Sequence, residues 1–127
     1  MMNQASKEIL IIEDDLEIRE SLIEILGEEG YLVRGSSNGK EALDYLNLSK
    51  TLPALLLLDL MMPVMDGFQF RAEQMKNEKL AQIPTVVLSA NSDLARKVRG
   101  IGISQYIKKP FELDSLIKIV RANMDLS

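Results

Sequence analysis

The stretch Leu55-Leu56-Leu57-Leu58-Asp59-Leu60-Met61-Met62-Pro63 places four consecutive leucines directly before a carboxylate. A short apolar run of this kind is typical of a strand that is buried on both faces, as in a parallel sheet covered by two helical layers. We therefore predict a strand over Ala54–Leu58, with Asp59 at its carboxyl end. Binding sites of open α/β sheets form at this end of the strands, so Asp59 is the first candidate for a functional residue.

The rest of the chain alternates short apolar runs with segments of helical periodicity. Further strands are predicted at "EILII" (8–12), "YLVRGS" (31–36), "PTVVLS" (84–89) and "QYIK" (105–108). Five helices are predicted, the third from Gly67 to about Asn77 and the fourth around "LARKVRG" (94–100). Strands that alternate with helices imply right-handed crossovers and a parallel sheet. We predict an α/β fold, a flavodoxin-like doubly wound (βα)5 sandwich with strand order 2-1-3-4-5 and helices on both faces.

Length and composition narrow the class of protein. The 127 residues suit one domain, no linker or repeat divides them, and the last predicted helix ends almost at the C-terminus. We therefore expect a single domain over 1–127 without an output domain. No apolar run approaches the roughly 20 residues of a membrane span, and the opening "MMNQASKEIL" does not resemble a signal peptide, so we expect a cytoplasmic protein without membrane insertion. The net charge of −4 argues against nucleic acid as a direct partner.

The chain contains neither cysteine nor histidine. Thiol nucleophiles, zinc–thiolate sites and imidazole general bases are therefore excluded within this chain. Its chemistry must use carboxylates, hydroxyls, lysines and the backbone.

Polar residues follow four of the predicted strands. They are Glu13, Asp14 and Asp15 after the first strand, Asp59 after the third, Ser89 at the end of the fourth and Lys109 after the fifth. In the order 2-1-3-4-5, the acids of strands one and three share one crevice, and carboxylates so close together either raise a pKa or bind a cation. Mg²⁺ is the expected ion, because it takes one or two carboxylates and keeps other positions for water and phosphate. An aspartate can also act as a nucleophile toward phosphorus.

Four segments in this order resemble the receiver domain of two-component response regulators. They are "ILIIEDD" (9–15), "LLLLDLMMPVMDGF" (55–68), "IPTVVLSAN" (83–91) and "YIKKPF" (106–111), and the resemblance covers about Lys7 to Met124. It implies a phosphorylation switch in which Asp59 accepts a phosphoryl group from a phosphohistidine. The donor would be a histidine kinase or a histidine phosphotransfer protein. The domain would catalyse only its own phosphoryl transfer and dephosphorylation.

The resemblance also implies a role for each residue at the crevice. The metal ligands would be Asp14 as the principal one, Glu13, Asp59 and the backbone carbonyl of Met61. They would hold Mg²⁺, or Mn²⁺ in its place. Ser89 and Lys109 would contact the phosphate, Tyr106 would be the aromatic switch residue, and the Lys109-Pro110 bond would be cis. A downstream protein would bind the face formed by the fourth helix, the fifth strand and the fifth helix.

This sequence departs from the family pattern at several positions. The acidic pair is Glu13-Asp14 instead of two aspartates, and Met61 and Asn91 occupy variable places that tune the lifetime of the phosphate. "GISQY" (102–106) replaces the more usual "GADDY". With several nearby basic residues, this change favours an acidic partner on that side of the domain: Arg96, Lys97, Arg99 and Lys108.

Other interpretations stay open from the sequence. Asp15 is expected to cap the first helix. A tyrosine on a short edge strand, such as Tyr106, is most often a packing residue. An Mg²⁺-dependent phosphatase of the aspartyl-phosphate type would need a second acid where Met61 stands. Within the receiver class, the alternatives are a phosphorelay intermediate that passes phosphate onward and a non-phosphorylated docking module.

Overall fold

The computed structural model describes residues 8–90 and 93–125. It contains a single parallel sheet of five strands, covered by helices on both faces. The elements follow in this order: β1 (Glu8–Ile12), α1 (Leu16–Glu28), β2 (Leu32–Ser36), α2 (Gly39–Leu48), β3 (Leu55–Asp59), α3 (Gly67–Met75), α4 (Glu78–Ala81), β4 (Thr85–Ser89), α5 (Leu94–Gly100), β5 (Gln105–Lys108) and α6 (Leu113–Met124). The strands lie in the order β2-β1-β3-β4-β5. The predicted fold class and strand order are confirmed.

Burial of β3 on both faces divides the core into two layers. All five residues of this strand are buried, as the run of leucines predicts. Leu55 and Leu57 pack with residues of α1 and α6 on one face. Leu56 and Leu58 pack with residues of α2 and α3 on the other. Each fully buried leucine stabilises the fold by roughly 1.5–3 kcal/mol, so β3 is firmly held between the two helical layers.

The helices differ from the sequence prediction at one point. The helix predicted from Gly67 to about Asn77 ends at Met75, and the side chain of Asn77 accepts hydrogen bonds from the backbone N–H groups of Lys79 and Leu80. Asn77 thus caps a separate short helix, α4. The described part of the chain has six helices instead of five, and the predicted fourth and fifth helices are α5 and α6. No helix within these residues combines the length and the hydropathy that a membrane span requires.

Strand register brings the carboxyl ends of β1, β3, β4 and β5 to one edge of the sheet. Ile12 pairs with Leu58, and Asp59 pairs with Leu88 on β4. Ser89 in turn pairs with Lys108 on β5. The polar residues that follow these strands are therefore neighbours.

Candidate functional site

Asp59 is the last residue of β3, and its position is fixed by the strand. It is only 4% exposed. The backbone N–H of Met61 donates to Asp59 Oδ1 at 3.3 Å, and the N–H of Gly67 donates to the carbonyl of Leu60 at 3.0 Å. A Cβ on Gly67 would lie 2.5 Å from the Asp59 carbonyl oxygen, so glycine is required for α3 to begin this close to the strand.

The acidic pair follows β1 on the neighbouring strand. Glu13 is buried and Asp14 is exposed. Glu13 Oε2 accepts a hydrogen bond from the backbone N–H of Asp15 at 3.2 Å, while Arg19 Nη1 donates to the Glu13 carbonyl at 2.7 Å. These contacts hold the Glu13 side chain inside the crevice and leave Asp14 at its mouth.

Lys109 reaches the acids from the end of β5. Its Nζ lies 2.5 Å from Glu13 Oε1 and 3.7 Å from Asp59 Oδ1, so Glu13 is its closer partner. The backbone N–H of Lys109 donates to the carbonyl of Ser89 at 2.8 Å, and the Lys109-Pro110 bond is cis, as the resemblance implies. Lys109 is therefore anchored to β4 as well as to the acids.

The carboxyl of Asp59 has a strongly perturbed pKa. Desolvation by burial, followed by the hydrogen bond with Glu13 and its negative charge, raises the pKa of Asp59 from 3.8 to about 7. Lys109 and the Met61 amide lower this pKa, but by less. Close to neutral pH, Asp59 is thus partly protonated when no cation is bound.

The crevice has the ligands of a hard cation. Its volume is about 480 Å³, and its floor and walls include Glu13, Asp14, Asp59, Ser89 and Lys109. Carboxylate oxygens of Glu13, Asp14 and Asp59 all lie within 4.8 Å of one another. Oxygen-only ligands that repel each other in the metal-free protein fit Mg²⁺, or Mn²⁺ in its place. Met61 also lines the crevice.

The remaining candidate residues differ in whether they line the crevice. Asp15 caps α1, since its side chain accepts the backbone N–H of Ile18 at 3.0 Å. Ser89 lines the crevice, but Tyr106 does not; it lies on β5, 41% exposed, paired in register with Val87. Asn91 lies outside the described residues.

Sequence reasoning missed the role of Arg19. This residue lies one turn into α1 and donates to the carbonyls of both Glu13 and Asp14, at 2.7 and 3.5 Å. The sequence could have indicated this role, because Arg19 stands four positions after the expected N-cap Asp15, and a side chain there faces back toward the loop that precedes the helix. Arg19 holds the backbone of the acidic pair in place.

The family model of the response regulator receiver domain matches residues 9–121. The chain belongs to this family. A similar curated relative of this receiver domain is response regulator MprA of Mycolicibacterium vanbaalenii, 35% identical over 116 residues, which cover 90% of this chain and 48% of the relative. The chain thus spans about half the length of the curated relatives it matches.

Solved structures agree with this assignment. The signal receiver domain of a signal transduction histidine kinase from Syntrophus aciditrophicus has a TM-score of 0.83 and 34% identity to this receiver domain, covering 94% of this chain and 91% of that one. The receiver domain of a sensor histidine kinase from Pseudomonas aeruginosa has a TM-score of 0.81 and 27% identity, covering 95% and 99%. That structure contains a magnesium ion coordinated in the active site cleft. The chain is thus a receiver domain of the two-component signalling class.

Proposed function

We propose that this receiver domain is a phosphorylation switch in which Asp59 accepts a phosphoryl group in an Mg²⁺-dependent reaction. The observation that carries the proposal is the position of Asp59: a carboxylate fixed at the end of the buried strand β3, with Glu13, Asp14 and Lys109 around it. Phosphoryl transfer needs a positioned nucleophile and neutralisation of the phosphoryl oxygens more than it needs covalent assistance. These residues supply both.

The donor in this proposal is a phosphohistidine on another protein, because this chain has no histidine. An oxygen of Asp59 attacks the phosphorus, the P–N bond of the donor breaks, and the donor imidazole leaves with the bonding electron pair. Glu13, Asp14, Asp59 and the Met61 carbonyl would hold Mg²⁺, which when bound neutralises the acids and the phosphoryl oxygens. The ion in the Pseudomonas aeruginosa receiver supports this assignment.

Ser89 and Lys109 would couple phosphorylation of Asp59 to a conformational change in the rest of the domain. In the resting protein, Lys109 Nζ is closer to Glu13 than to Asp59, at 2.5 against 3.7 Å. A phosphoryl group on Asp59 offers new acceptors to this ammonium and to the Ser89 hydroxyl, and charge-assisted contacts contribute roughly 1.5–3 kcal/mol each. Two or three of them approach the about 5.5 kcal/mol that shifts a population from mostly inactive to mostly active.

The downstream partner in this proposal binds the face formed by α5, β5 and α6. Movement of Ser89 and Lys109 would leave space for Tyr106, which lies on β5 in register with Val87 and is partly exposed. The face carries basic residues that suit an acidic partner, namely the exposed Arg96, Arg99 and Lys108 and the partly exposed Lys97. Histidine kinases and phosphotransfer proteins act in the cytoplasm, so we place the switch there.

Intact mass spectrometry tests the proposal. The protein is incubated with a small acyl phosphate, with and without Mg²⁺, as wild type, Asp59→Asn and Asp44→Asn. Asp44 is an exposed acid on α2 whose partner is Lys40, so its variant controls for loss of one carboxylate. We expect a gain of one phosphoryl group that needs Mg²⁺ and is lost only in Asp59→Asn. A gain that persists in Asp59→Asn would overturn Asp59 as the acceptor. No gain together with no Mg²⁺ binding would overturn the switch and favour a docking module.

A further inference from the structure

Arg19 on α1 is a cation whose side chain donates to backbone carbonyls and not to an acid. Its Nη1 donates to the carbonyl of Glu13 at 2.7 Å and, over a longer 3.5 Å, to the carbonyl of Asp14. Two further acids, Glu17 and Glu20, stand within two positions of it in the sequence. In the part of the chain that the structure describes, however, no acid forms an ion pair with its guanidinium. The charge of Arg19 therefore acts on the main chain of the acidic pair.

The same residue closes the turn between β1 and α1. The backbone N–H of Arg19 donates to the carbonyl of Asp15 at 2.9 Å, so the three consecutive carbonyls of residues 13–15 all accept hydrogen bonds from Arg19. The chain enters the turn on a fixed path, because the N–H of Glu13 donates to the carbonyl of Ser36 on β2 at 3.0 Å. Charge-assisted hydrogen bonds are shorter and stronger than neutral ones, in agreement with the 2.7 Å contact between Arg19 and the Glu13 carbonyl. Arg19 thus holds the main chain from which the two carboxylates project.

The path of the Arg19 side chain requires a glycine on the neighbouring strand. A Cβ on Gly35 of β2 would lie 2.8 Å from Arg19 Cδ and 2.9 Å from Arg19 Cγ, distances at which the side chain would have to move. Gly35 pairs in register with Ile11 on β1, two residues before Glu13. A glycine within a strand often marks a place where another part of the protein approaches the backbone closely. Here it gives the aliphatic stem of Arg19 room to lie against β2.

The charge of Arg19 lies outside the crevice. Its donors contact carbonyl oxygens, whereas the carboxylate oxygens of Glu13, Asp14 and Asp59 lie within 4.8 Å of one another, and Arg19 is not among the residues that line the crevice. The guanidinium therefore fixes two of the expected metal ligands without occupying the place of a cation. As a nearby positive charge it would nonetheless repel a bound cation. Its charge opposes metal binding while its hydrogen bonds favour it, so the two effects differ in sign.

We propose that Arg19 is a positioning residue of the proposed Mg²⁺ site, which raises the affinity for the ion by holding the backbone of Glu13 and Asp14, and that Gly35 provides the space its side chain needs. This inference rests on the proposed function and deepens it, because it concerns the ion that the reaction at Asp59 requires. Groups that orient metal ligands without touching the metal contribute about 10- to 100-fold to metal affinity. Arg19 acts through the main chain of the ligands, so we expect the lower end of this range.

Calorimetric titration of Mg²⁺ into the unphosphorylated protein tests the inference. Arg19→Ala removes the guanidinium and keeps a residue that favours the helix. Arg34→Ala is the matched control, because Arg34 is an exposed arginine on β2 that pairs with Glu8, at the opposite end of β1 from Glu13. We expect Arg19→Ala to bind Mg²⁺ about tenfold more weakly than the wild type, and Arg34→Ala to bind it equally well. Loss of a positive charge alone would tighten the binding of a cation, so unchanged or tighter binding in Arg19→Ala would overturn the inference.

Urea unfolding without Mg²⁺ separates positioning from a purely structural role. A residue that only stabilised α1 would change the free energy of unfolding and leave the Mg²⁺ affinity of the folded protein as it is. Arg19→Lys provides the comparison if Arg19→Ala does not fold, because lysine keeps the charge but its ammonium cannot reproduce the planar fork of the guanidinium. We expect Arg19→Lys to bind Mg²⁺ more weakly than the wild type, by a smaller factor than Arg19→Ala. An affinity equal to that of the wild type would overturn the inference.

Gly35→Ala tests the same contact from the side of β2. The added methyl group leaves every charge in place but displaces the stem of Arg19, so we expect weaker Mg²⁺ binding than in the wild type. In an Arg19→Ala background the Cγ and Cδ atoms are gone, and Gly35→Ala should cause no further loss of affinity. Equal losses in the two backgrounds would show that Gly35 does not act through Arg19 and would overturn that part of the inference.

The wild type distinguishes failure of this inference from failure of the proposed function. If the wild-type protein does not bind Mg²⁺, the Mg²⁺-dependent reaction and the positioning role are both overturned. If the wild type and Arg19→Ala bind Mg²⁺ equally, and Asp59 still gains a phosphoryl group only in the presence of Mg²⁺, the positioning role alone is overturned.

Discussion

In metal-free buffer at pH 8, Asp59→Asn is expected to raise the free energy of unfolding of this receiver domain. The carboxyl of Asp59 is 4% exposed and lies beside the buried Glu13. Lys109 compensates it only weakly, because its ammonium lies 3.7 Å from Asp59 and 2.5 Å from Glu13. Asparagine has nearly the same shape without the charge, so the substitution removes the repulsion and leaves the pair of Lys109 and Glu13 in place.

The magnitude follows from the pKa of Asp59. Because this pKa is raised from 3.8 to about 7, the folded protein binds the proton more tightly than the unfolded chain does. The stability that this proton provides is complete below the ordinary pKa and is lost as the pH rises through the folded-state pKa. At about 1.4 kcal/mol for each pH unit, the loss reaches about 4 kcal/mol at pH 8 and about 2 kcal/mol at pH 5.5. Asp59→Asn should recover up to these amounts.

Urea unfolding in the presence of a chelator measures this difference, with far-ultraviolet circular dichroism as the signal because the chain has no tryptophan. Asp14→Asn is the matched control: it removes the same charge from the same crevice, but from an exposed side chain, and should change stability by less than about 1 kcal/mol. If Asp59→Asn fails to stabilise the protein at pH 8, or stabilises it equally at pH 5.5, the reasoning about the buried carboxyl is refuted.

Three further predictions concern the crevice and the segment that follows β3. Mg²⁺ at 100 times Kd should raise the free energy of unfolding of the wild type by about 2.7 kcal/mol, with a higher urea midpoint, and should do so less in Asp14→Asn; an unchanged midpoint contradicts the metal site. Lys109→Met should lower the free energy of unfolding by about 3 kcal/mol at pH 8, because the 1% exposed Glu13 loses its cation, and a loss no larger than that of the exposed control Lys108→Met contradicts this. Val64→Asn should raise the free energy of unfolding by about 1 kcal/mol, because Val64 has a left-handed φ of 68° and is 76% exposed. Urea unfolding measures this change, and a destabilised variant would contradict the backbone strain at Val64.

The sheet and the edge that carries the site follow from the sequence for a simple reason. Apolar runs such as Leu55–Leu58 indicate burial on both faces, and their alternation with helical segments favours a parallel sheet with two helical layers. Once the strands are placed, their carboxyl ends must meet. The proximity of Glu13, Asp14 and Asp59 is therefore a consequence of topology, and the residue pattern alone was enough to predict it.

Local hydrogen bonding was not predictable in the same way. A helical pattern continues through Asn77, but this side chain bonds to the backbone of Lys79 and Leu80 and starts a new helix. The closer pairing of Lys109 with Glu13 than with Asp59 depends on side-chain lengths and on the depth of the crevice. Arg71 is a buried residue of α3 whose guanidinium donates to two carbonyls of the turn after α5. The sequence gave no sign of this, because an arginine in a helix is normally exposed, and only the fold brings that turn within its reach.

The complete burial of β3 has a consequence for genetics. Substitutions of Leu56 or Leu57 by alanine would leave cavities in one layer or the other, at roughly 2–5 kcal/mol each. Either change would tilt or loosen the strand that ends in Asp59. In a screen for lost signalling, such alleles would be scored together with Asp59 itself, although their side chains never meet the phosphoryl group. Protein abundance or melting temperature, measured beside the signalling phenotype, separates the two kinds of allele.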